Sequence, residues 1–169
     1  MFLNCKFTQI MTNKELKISY SEYASIDELE ASDKALVEAA INALKGSYAP
    51  YSMFNVGAAV RMSNGQIFTG ANQENAAYPS GLCAERTAMF YANAQLPEEY
   101  MESLAIVASK GGTLCESPAT PCGQCRQVMA EYQTKGGHPV SIILAGSKCV
   151  WKFHNVESVL PFIFDSLDK

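Results

Sequence analysis

Two short cysteine-containing segments constrain the fold more than any other feature of this sequence. The first is Cys83-Ala84-Glu85-Arg86, and the second, further along the chain, is Pro121-Cys122-Gly123-Gln124-Cys125. Thiolates are good zinc ligands, and a zinc ion with three protein ligands keeps a fourth position open for water, as catalytic sites do. The chain is therefore expected to fold so that both segments meet. Glu85, next but one to a ligand, would then lie close enough to handle the protons of that water.

The Cys-x-x-Cys pair alone is only moderately specific. It also occurs as half of a structural zinc site, here with Cys115 or Cys149 as fourth ligand, or as a redox pair at the start of a helix. Glu85 and Arg86 favour the catalytic interpretation. Three thiolates give a zinc centre a net negative charge, which helix N-termini and a hydrogen bond from Arg86 to sulfur would offset. The alternative for Arg86 is an ordinary surface salt bridge.

The composition indicates one globular domain in a reducing compartment. The 169 residues are 48% hydrophobic and 18% charged with a net charge of -4, which gives no global attraction to nucleic-acid phosphates. No apolar run approaches the ~18 residues that span a bilayer, and the N-terminus lacks a signal-peptide pattern. We therefore expect a cytoplasmic protein without membrane or nucleic-acid partners. Its six cysteines are predicted to be metal ligands or free thiols.

Apolar periodicity predicts alternating helices and strands after a loose N-terminal segment. A short edge strand is expected over residues 16–20. The remaining predicted elements are a helix from Ser32 to Gly46, strands Phe54–Met62 and Gln66–Ala71, a helix over Leu82–Gln95, a strand over Leu104–Ala108, a helix over Gly123–Lys135, strands Val140–Ala145 and Lys148–Phe153, and a short terminal helix. This order predicts a sheet covered by helices. Because Gly146 and Ser147 alone separate the last two strands, those strands must be antiparallel.

Longer stretches around the cysteine segments carry a resemblance to a known family. They are Tyr48-Ala49-Pro50-Tyr51-Ser52-Met53-Phe54-Asn55-Val56-Gly57-Ala58-Ala59, Asn72-Gln73-Glu74-Asn75-Ala76-Ala77-Tyr78-Pro79, Gly81-Leu82-Cys83-Ala84-Glu85-Arg86-Thr87-Ala88 and Pro121-Cys122-Gly123-Gln124-Cys125-Arg126-Gln127. In this order they resemble the small, homotetrameric, zinc-dependent cytidine deaminases, from about Asp33 to Phe164. The resemblance implies an α/β fold of three layers, αβα, around a five-stranded mixed sheet with the last two strands antiparallel. Residues 1–30 would be an N-terminal extension and residues 31–169 the deaminase domain.

The activity implied by this resemblance is hydrolytic deamination of cytidine and deoxycytidine to uridine and deoxyuridine, as in pyrimidine salvage. One Zn²⁺ per chain would be held by Cys83, Cys122 and Cys125, with Glu85 moving protons between water, N3 of the base and the departing ammonia. Backbone groups near Ala84 and Thr120 are expected to contact the base edge.

Three further residues are assigned to the nucleoside by the resemblance. Phe54 would lie against the pyrimidine, while Asn72 and Glu74 would hold the ribose 3′-hydroxyl. The chemistry agrees, because residues two apart on a strand share a face and a carboxylate accepts strongly from a hydroxyl. The same carboxylate would repel a 3′-phosphate. The alternatives are core packing for Phe54 and a solvated strand end for the other two.

Two aromatic residues are expected to reach a neighbouring subunit's site. Tyr78 matches a tyrosine with that role, and Phe164 lies at the spacing of an aromatic that covers a neighbour's pyrimidine. However, Phe162, Ile163 and Asp165 replace the small residues and glycine usual in that segment. Ordinary packing is therefore an alternative for both aromatics.

Other functions remain open alongside deamination of cytidine. The enzyme could act on another cytosine-like nucleoside, or the domain could be a non-catalytic, zinc-stabilised binding module. Polynucleotide deamination is disfavoured by the acidic balance and by the short link between the last two strands, which leaves no room for a helix. Deoxycytidylate deaminases usually carry His-x-Glu, and neither His138 nor His154 has that context. The expected partner is therefore a small nucleoside.

Overall fold

The computed structural model describes residues 12–165, which form a mixed sheet with helices on both faces. The helices are α1 (Ala31–Ala43), α2 (Ala84–Gln95) and α3 (Gly123–Gly136). The strands are β1 (Ser21–Tyr23), β2 (Phe54–Met62), β3 (Ile67–Ala71), β4 (Met101–Lys110), β5 (Thr113–Leu114), β6 (Ser141–Ala145) and β7 (Val150–Phe153). Over residues 12–165, no helix combines the length and the apolar character needed to cross a membrane.

The strand order is β1-β7-β6-β4-β2-β3, with β5 pairing beside the end of β4. Within the described residues, β4 and β6 are the one parallel pair, and α3 forms the crossover between them. β6 and β7 are antiparallel, as predicted. The link between them is Gly146–Cys149 rather than the expected two residues, because β7 begins only at Val150.

The predicted three-layer α/β architecture is confirmed, but the strand count was wrong: the sheet has seven strands rather than five. One addition is β5, which has only two residues and so carries no readable alternation. The other is β1, which pairs with β7 through Ser21–Tyr23. The edge strand expected over residues 16–20 is therefore displaced along the chain. The division into an extension (1–30) and a domain (31–169) stays a prediction.

Two apolar cores lie on opposite faces of the sheet, because successive side chains of each central strand point to opposite faces. On β4, Leu104 and Ile106 face the core shared with α2 and α3. Ala105 and Val107 face the core shared with α1, which contributes Leu36, Val37 and Ala40. The sheet thus separates α1 from α2 and α3, the helices at whose N-termini the cysteines lie.

α2 lies against the sheet at a point where only glycine fits. A Cβ built at Gly70 of β3 would stand 2.5 Å from the backbone nitrogen of Ala88 and 2.6 Å from the carbonyl oxygen of Ala84. Both atoms belong to the helix backbone, so a side chain there would require the helix to move. Gly70 therefore sets the position of the N-terminal half of α2, where Cys83, Glu85 and Arg86 lie.

We expect Gly70→Ala to lower the free energy of unfolding by about 1–3 kcal/mol, because the added methyl group must displace α2. Chemical denaturation followed by circular dichroism measures this change. Gly46→Ala is the matched control, since a Cβ there meets the Ala71 Cβ at an ordinary 3.7 Å. A Gly70→Ala protein as stable as the Gly46→Ala protein would contradict the close-approach argument.

Candidate functional site

Three cysteine side chains meet where α2 and α3 begin. Cys83 is the N-cap of α2, Cys122 is the N-cap of α3, and Cys125 lies in the first turn of α3. The Sγ atoms of Cys83 and Cys122 are 4.0 Å apart, and those of Cys122 and Cys125 are 3.5 Å apart. All three lie within 4.8 Å of one another.

The donor set suits one tetrahedral metal ion. Zinc–sulfur bonds of about 2.3 Å place thiolates about 3.8 Å apart in a tetrahedron, close to the observed spacing. Over residues 12–165, this is the one group of three or more His, Cys, Asp or Glu side chains found close enough to hold a metal. Three sulfur ligands without a fourth protein ligand leave one coordination position for water.

The structure favours ionisation of Cys83 within this group. A hydrogen bond with Cys125 and the nearby Arg86 guanidinium together lower the pKa of the Cys83 thiol to about 5. The Arg86 Nη2 atom lies 3.6 Å from the Cys83 Sγ, which places the predicted donor beside the sulfur. The same hydrogen bond and burial raise the pKa of Cys125. Negative charge is therefore favoured on Cys83 rather than on Cys125.

Glu85 is the buried carboxyl group of this site. It lies in the first turn of α2 and is only 5% exposed. Burial raises the pKa of Glu85, and the negative charge of Cys83 raises it further, while a hydrogen bond with Cys125 opposes the change. Burial outweighs the stabilisation that a helix N-terminus gives a carboxylate. The group is thus poised to hold or release a proton nearer to neutral pH than an exposed glutamate.

A cavity of about 490 Å³ opens beside this cluster. Of the residues predicted to bind substrate, Asn72, Glu74 and Tyr78 line it, together with the metal-site residues Cys83 and Arg86. Tyr78 is 80% exposed. The structure thus brings the predicted ribose-binding pair and the first cysteine segment to one pocket.

The two remaining predicted residues, Phe54 and Phe164, are not part of the cavity wall within this chain. Phe54 is half-buried at the start of β2. Phe164 is 63% exposed, and its carbonyl oxygen accepts a 2.6 Å hydrogen bond from Gln127 Nε2. Their contacts with a pyrimidine stay predictions.

The side-chain amide of Asn72 is largely occupied by the protein. Its Oδ1 accepts from Val56 N at 2.8 Å and from Ser47 Oγ at 2.5 Å. Ser47 Oγ also lies 3.0 Å from Asn55 Oδ1, but its one hydrogen goes to the nearer oxygen. Asn72 Nδ2 donates to Phe54 O at 2.9 Å. Within the described part of the chain, the second N–H of Asn72 Nδ2 has no protein acceptor and is available to a ligand.

Glu74 is held by the turn that precedes β2. Its Oε2 accepts from the backbone N–H groups of Tyr51, at 2.8 Å, and Ser52, at 3.2 Å. Its Oε1 accepts from the Ser52 hydroxyl. These contacts, the Ser52 hydroxyl above all, lower the pKa of Glu74, so the side chain is a carboxylate that only accepts hydrogen bonds.

Sequence reasoning assigned no role to Ser47 or Ser52. Both lie within or beside the stretch that carried the family resemblance, and Ser52 lies two residues after Pro50, a residue type common in turns. Serine hydroxyls often bond to nearby backbone in turns, which is a signal for local structure. That signal does not reveal a partner such as Glu74, which is distant in sequence.

Comparisons with known proteins agree with the geometry. The family model described as "Cytidine and deoxycytidylate deaminase zinc-binding region" matches residues 30–136. A cytidine deaminase from Halalkalibacterium halodurans is 47% identical over 96 residues, which cover 57% of this chain and 68% of that protein. A cytidine deaminase from Sporosarcina psychrophila is 43% identical over 133 residues, covering 79% of this chain and 91% of that protein. The crystal structure of cytidine deaminase from Burkholderia pseudomallei superimposes with a TM-score of 0.64 at 39% identity, covering 77% of this chain and 97% of that chain.

We expect one zinc per chain, and we expect Cys83→Ser, Cys122→Ser or Cys125→Ser to lose it, because each removes a sulfur donor. Cys115→Ser and Cys149→Ser are matched controls that should retain zinc, since neither belongs to the three-sulfur cluster. Elemental analysis of the purified variants measures the metal content. Zinc loss from either control comparable to that of Cys122→Ser would show that the cluster is assigned incorrectly. Cys5 lies outside the described residues.

Proposed function

Because the chain belongs to the cytidine and deoxycytidylate deaminase family, we propose that it hydrolyses cytidine and deoxycytidine to uridine and deoxyuridine. In this reaction a C4–O bond replaces the C4–N bond, and ammonia leaves. The observation that carries the proposal is the meeting of a three-sulfur cluster, a buried glutamate and a cavity lined by Asn72 and Glu74.

Zinc is the metal of this family, and we assign Cys83, Cys122 and Cys125 as its ligands here. When bound, the ion supplies Lewis-acid activation of a water molecule. The positive ends of α2 and α3 and the Arg86 guanidinium stabilise the thiolates. They thereby reduce the electron density that three sulfur donors place on the metal.

Glu85 is the proposed proton carrier. It would accept a proton from the attacking water and deliver it to N3 of the pyrimidine. It would then take the second proton, from the hydroxyl group newly bound to C4, and pass it to the departing amino group. One carboxyl group serves both as base and as acid, so a pKa closer to neutrality is an advantage. The burial that raises the pKa of Glu85 supports this assignment.

The pair Asn72 and Glu74 is proposed to bind the ribose 3′-hydroxyl. Asn72 retains one free N–H, and the three protein donors leave Glu74 one of about four acceptor positions. One donor next to one acceptor complements a hydroxyl group, which accepts and donates at once. A 3′-phosphate offers only acceptors and negative charge, which favours nucleosides over polynucleotides.

The active form is proposed to be a homotetramer in which neighbouring chains complete each site. Phe54 would contact the pyrimidine from its own chain, while Tyr78 and Phe164 would reach across to a neighbour. The high exposure of both aromatics in the single chain supports this arrangement. Residues 31–169 would form the deaminase domain, with residues 1–30 as its extension.

We place the protein in the cytoplasm, in pyrimidine salvage. The cysteines in the described part of the chain, Cys83, Cys115, Cys122, Cys125 and Cys149, are all free thiols. Free thiols are the usual state in a reducing compartment.

The proposed activity is tested by following the ultraviolet absorbance of cytidine, deoxycytidine and their monophosphates with the zinc-loaded protein. We expect turnover of both nucleosides. Glu85→Gln should keep zinc and bind cytidine but lose at least ~10²–10⁴-fold in kcat, the range for a general acid–base group. Turnover by Glu85→Gln within about tenfold of the parent would remove Glu85 from the mechanism. Zinc-loaded parent protein that leaves both nucleosides unchanged would favour a binding module or another cytosine-like substrate.

The shared-site proposal is tested by mixing chains. Glu85→Gln and Phe164→Ala proteins, dissociated and reassembled together, should regain activity, because some sites then combine an intact Glu85 with a neighbour's intact Phe164. A mixture of Glu85→Gln with Glu74→Gln is the matched control, since both changes lie in the same chain's part of the site and no rescue is expected. Light scattering reports the assembly state. A fully active monomer would contradict the proposal.

A further inference from the structure

Ser52 connects two residues that the proposed function places on opposite parts of the nucleoside. Its hydroxyl oxygen accepts a 3.0 Å hydrogen bond from the backbone N–H of Phe54, and its hydrogen is donated to Glu74 Oε1. A continuous chain of hydrogen bonds therefore runs from the start of β2, through one hydroxyl, to the carboxylate. Such chains polarise and strengthen their members.

The backbone around Ser52 is shaped to hold this carboxylate. Met53, the next residue, adopts a left-handed conformation with φ 56°, which is uncommon for a residue with a side chain. Its N–H is bonded to Ala49 O at 3.0 Å. This tight turn presents the N–H groups of Tyr51 and Ser52 to one oxygen of Glu74 while the Ser52 hydroxyl bonds the other.

The turn is also hydrogen-bonded to the segment after β3 that carries Asn72 and Glu74. Tyr48 N donates to Asn72 O at 2.9 Å, and Glu74 N donates to Tyr48 O at 2.8 Å. The turn and residues 72–74, which directly follow β3, thus form one hydrogen-bonded unit. Among residues 12–165, the Ser52 hydroxyl is the one side-chain donor to the Glu74 carboxylate, since the two other donors are the backbone N–H groups of Tyr51 and Ser52.

The number of hydrogen-bond donors to the Glu74 carboxylate indicates how the Ser52 hydroxyl contributes to recognition. The two backbone donors occupy Oε2, and Ser52 occupies one of the two acceptor positions of Oε1. One acceptor position of Oε1 is left for a ligand. Without the hydroxyl, two positions on Oε1 would be open to water and the carboxylate could rotate about its remaining contacts.

Building on the proposed function, we propose that Ser52 is a positioning residue for nucleoside recognition. Its hydroxyl orients Glu74 so that the one open acceptor position of Oε1 faces the ribose 3′-hydroxyl. Through the Phe54 N–H, the same hydroxyl links this orientation to the segment at the start of β2. Ser52 touches neither the metal cluster nor the reacting atoms in this assignment.

The test compares Ser52→Ala with the parent on three nucleosides. Cytidine and deoxycytidine both carry the 3′-hydroxyl, whereas 3′-deoxycytidine lacks it. We expect Ser52→Ala to reduce kcat/KM about tenfold for the first two, the effect of one hydrogen bond to a charged group, mainly through KM. For 3′-deoxycytidine, the parent and Ser52→Ala should have the same kcat/KM. Ser52→Thr keeps the hydroxyl at an exposed position. It should therefore restore the preference for cytidine and deoxycytidine over 3′-deoxycytidine.

Controls separate this effect from a general loss of structure. Zinc content and the melting temperature of Ser52→Ala should match those of Ser147→Ala, an exposed serine in the β6–β7 link. In a double-mutant cycle, Ser52→Ala should add little to Glu74→Ala, since the Ser52 hydroxyl acts through the Glu74 side chain that this change removes. Equal losses on all three nucleosides, or no loss on any, would overturn the assignment of Ser52 while leaving the deaminase activity intact. A parent protein inactive on every nucleoside would overturn both.

Discussion

The mutual approach of two helix N-termini is the constraint on which the rest of the structure depends. Three sulfur atoms within 4.8 Å of one another would repel if all were ionised. The protein reduces that repulsion by placing Cys83 and Cys122 at the N-caps of α2 and α3, where each helix dipole stabilises a negative charge by about 0.3–1 kcal/mol. Arg86 adds a full positive charge beside Cys83. These contributions are small against the attraction of a divalent cation, so the cluster is suited to hold a metal.

Packing, rather than local helix propensity, brings those helix ends together. α2 reaches its place because Gly70 of β3 allows backbone-to-backbone contact with Ala84 and Ala88. α3 is the crossover between the parallel strands β4 and β6, and Met129 and Ala130 bury its inner face in the same core as Ala88 and Met89. The same burial covers Glu85 and raises its pKa. One packing arrangement therefore sets both the three-sulfur cluster and the buried environment of Glu85, the proposed acid–base group.

The elements predicted correctly from the sequence are those whose ends are marked by nearby residues. The helix expected over Leu82–Gln95 is observed as Ala84–Gln95 and the one expected over Gly123–Lys135 as Gly123–Gly136, because glycine, proline and cysteine spacing mark their ends. β5 was missed because two residues are too few to show a period, and the edge strand expected over residues 16–20 is observed as Ser21–Tyr23 because three residues define its position poorly. The contacts of Ser47 and Ser52 were missed for another reason. Each joins residues that only the folded sheet brings together, and a serine in a turn gives no indication of its distant partner.

Solvent exposure of Glu74 would connect the proposed recognition of the ribose with the proposed assembly of the protein. In the single chain Glu74 is only partly buried, so solvent can reach its open acceptor position and a bound hydroxyl would replace a hydrogen bond to water. Discrimination against a nucleoside without the hydroxyl is then modest, because an unmatched carboxylate oxygen can still be hydrated. A neighbouring chain that covered the cavity with Tyr78 or Phe164 would exclude this water and leave the oxygen unpaired when the hydroxyl is absent. The loss of binding free energy for a nucleoside without the 3′-hydroxyl would then be larger. The hydrogen bonds within one chain would then define which group of the sugar is recognised, and the covering by a second chain would determine how strongly that group is required.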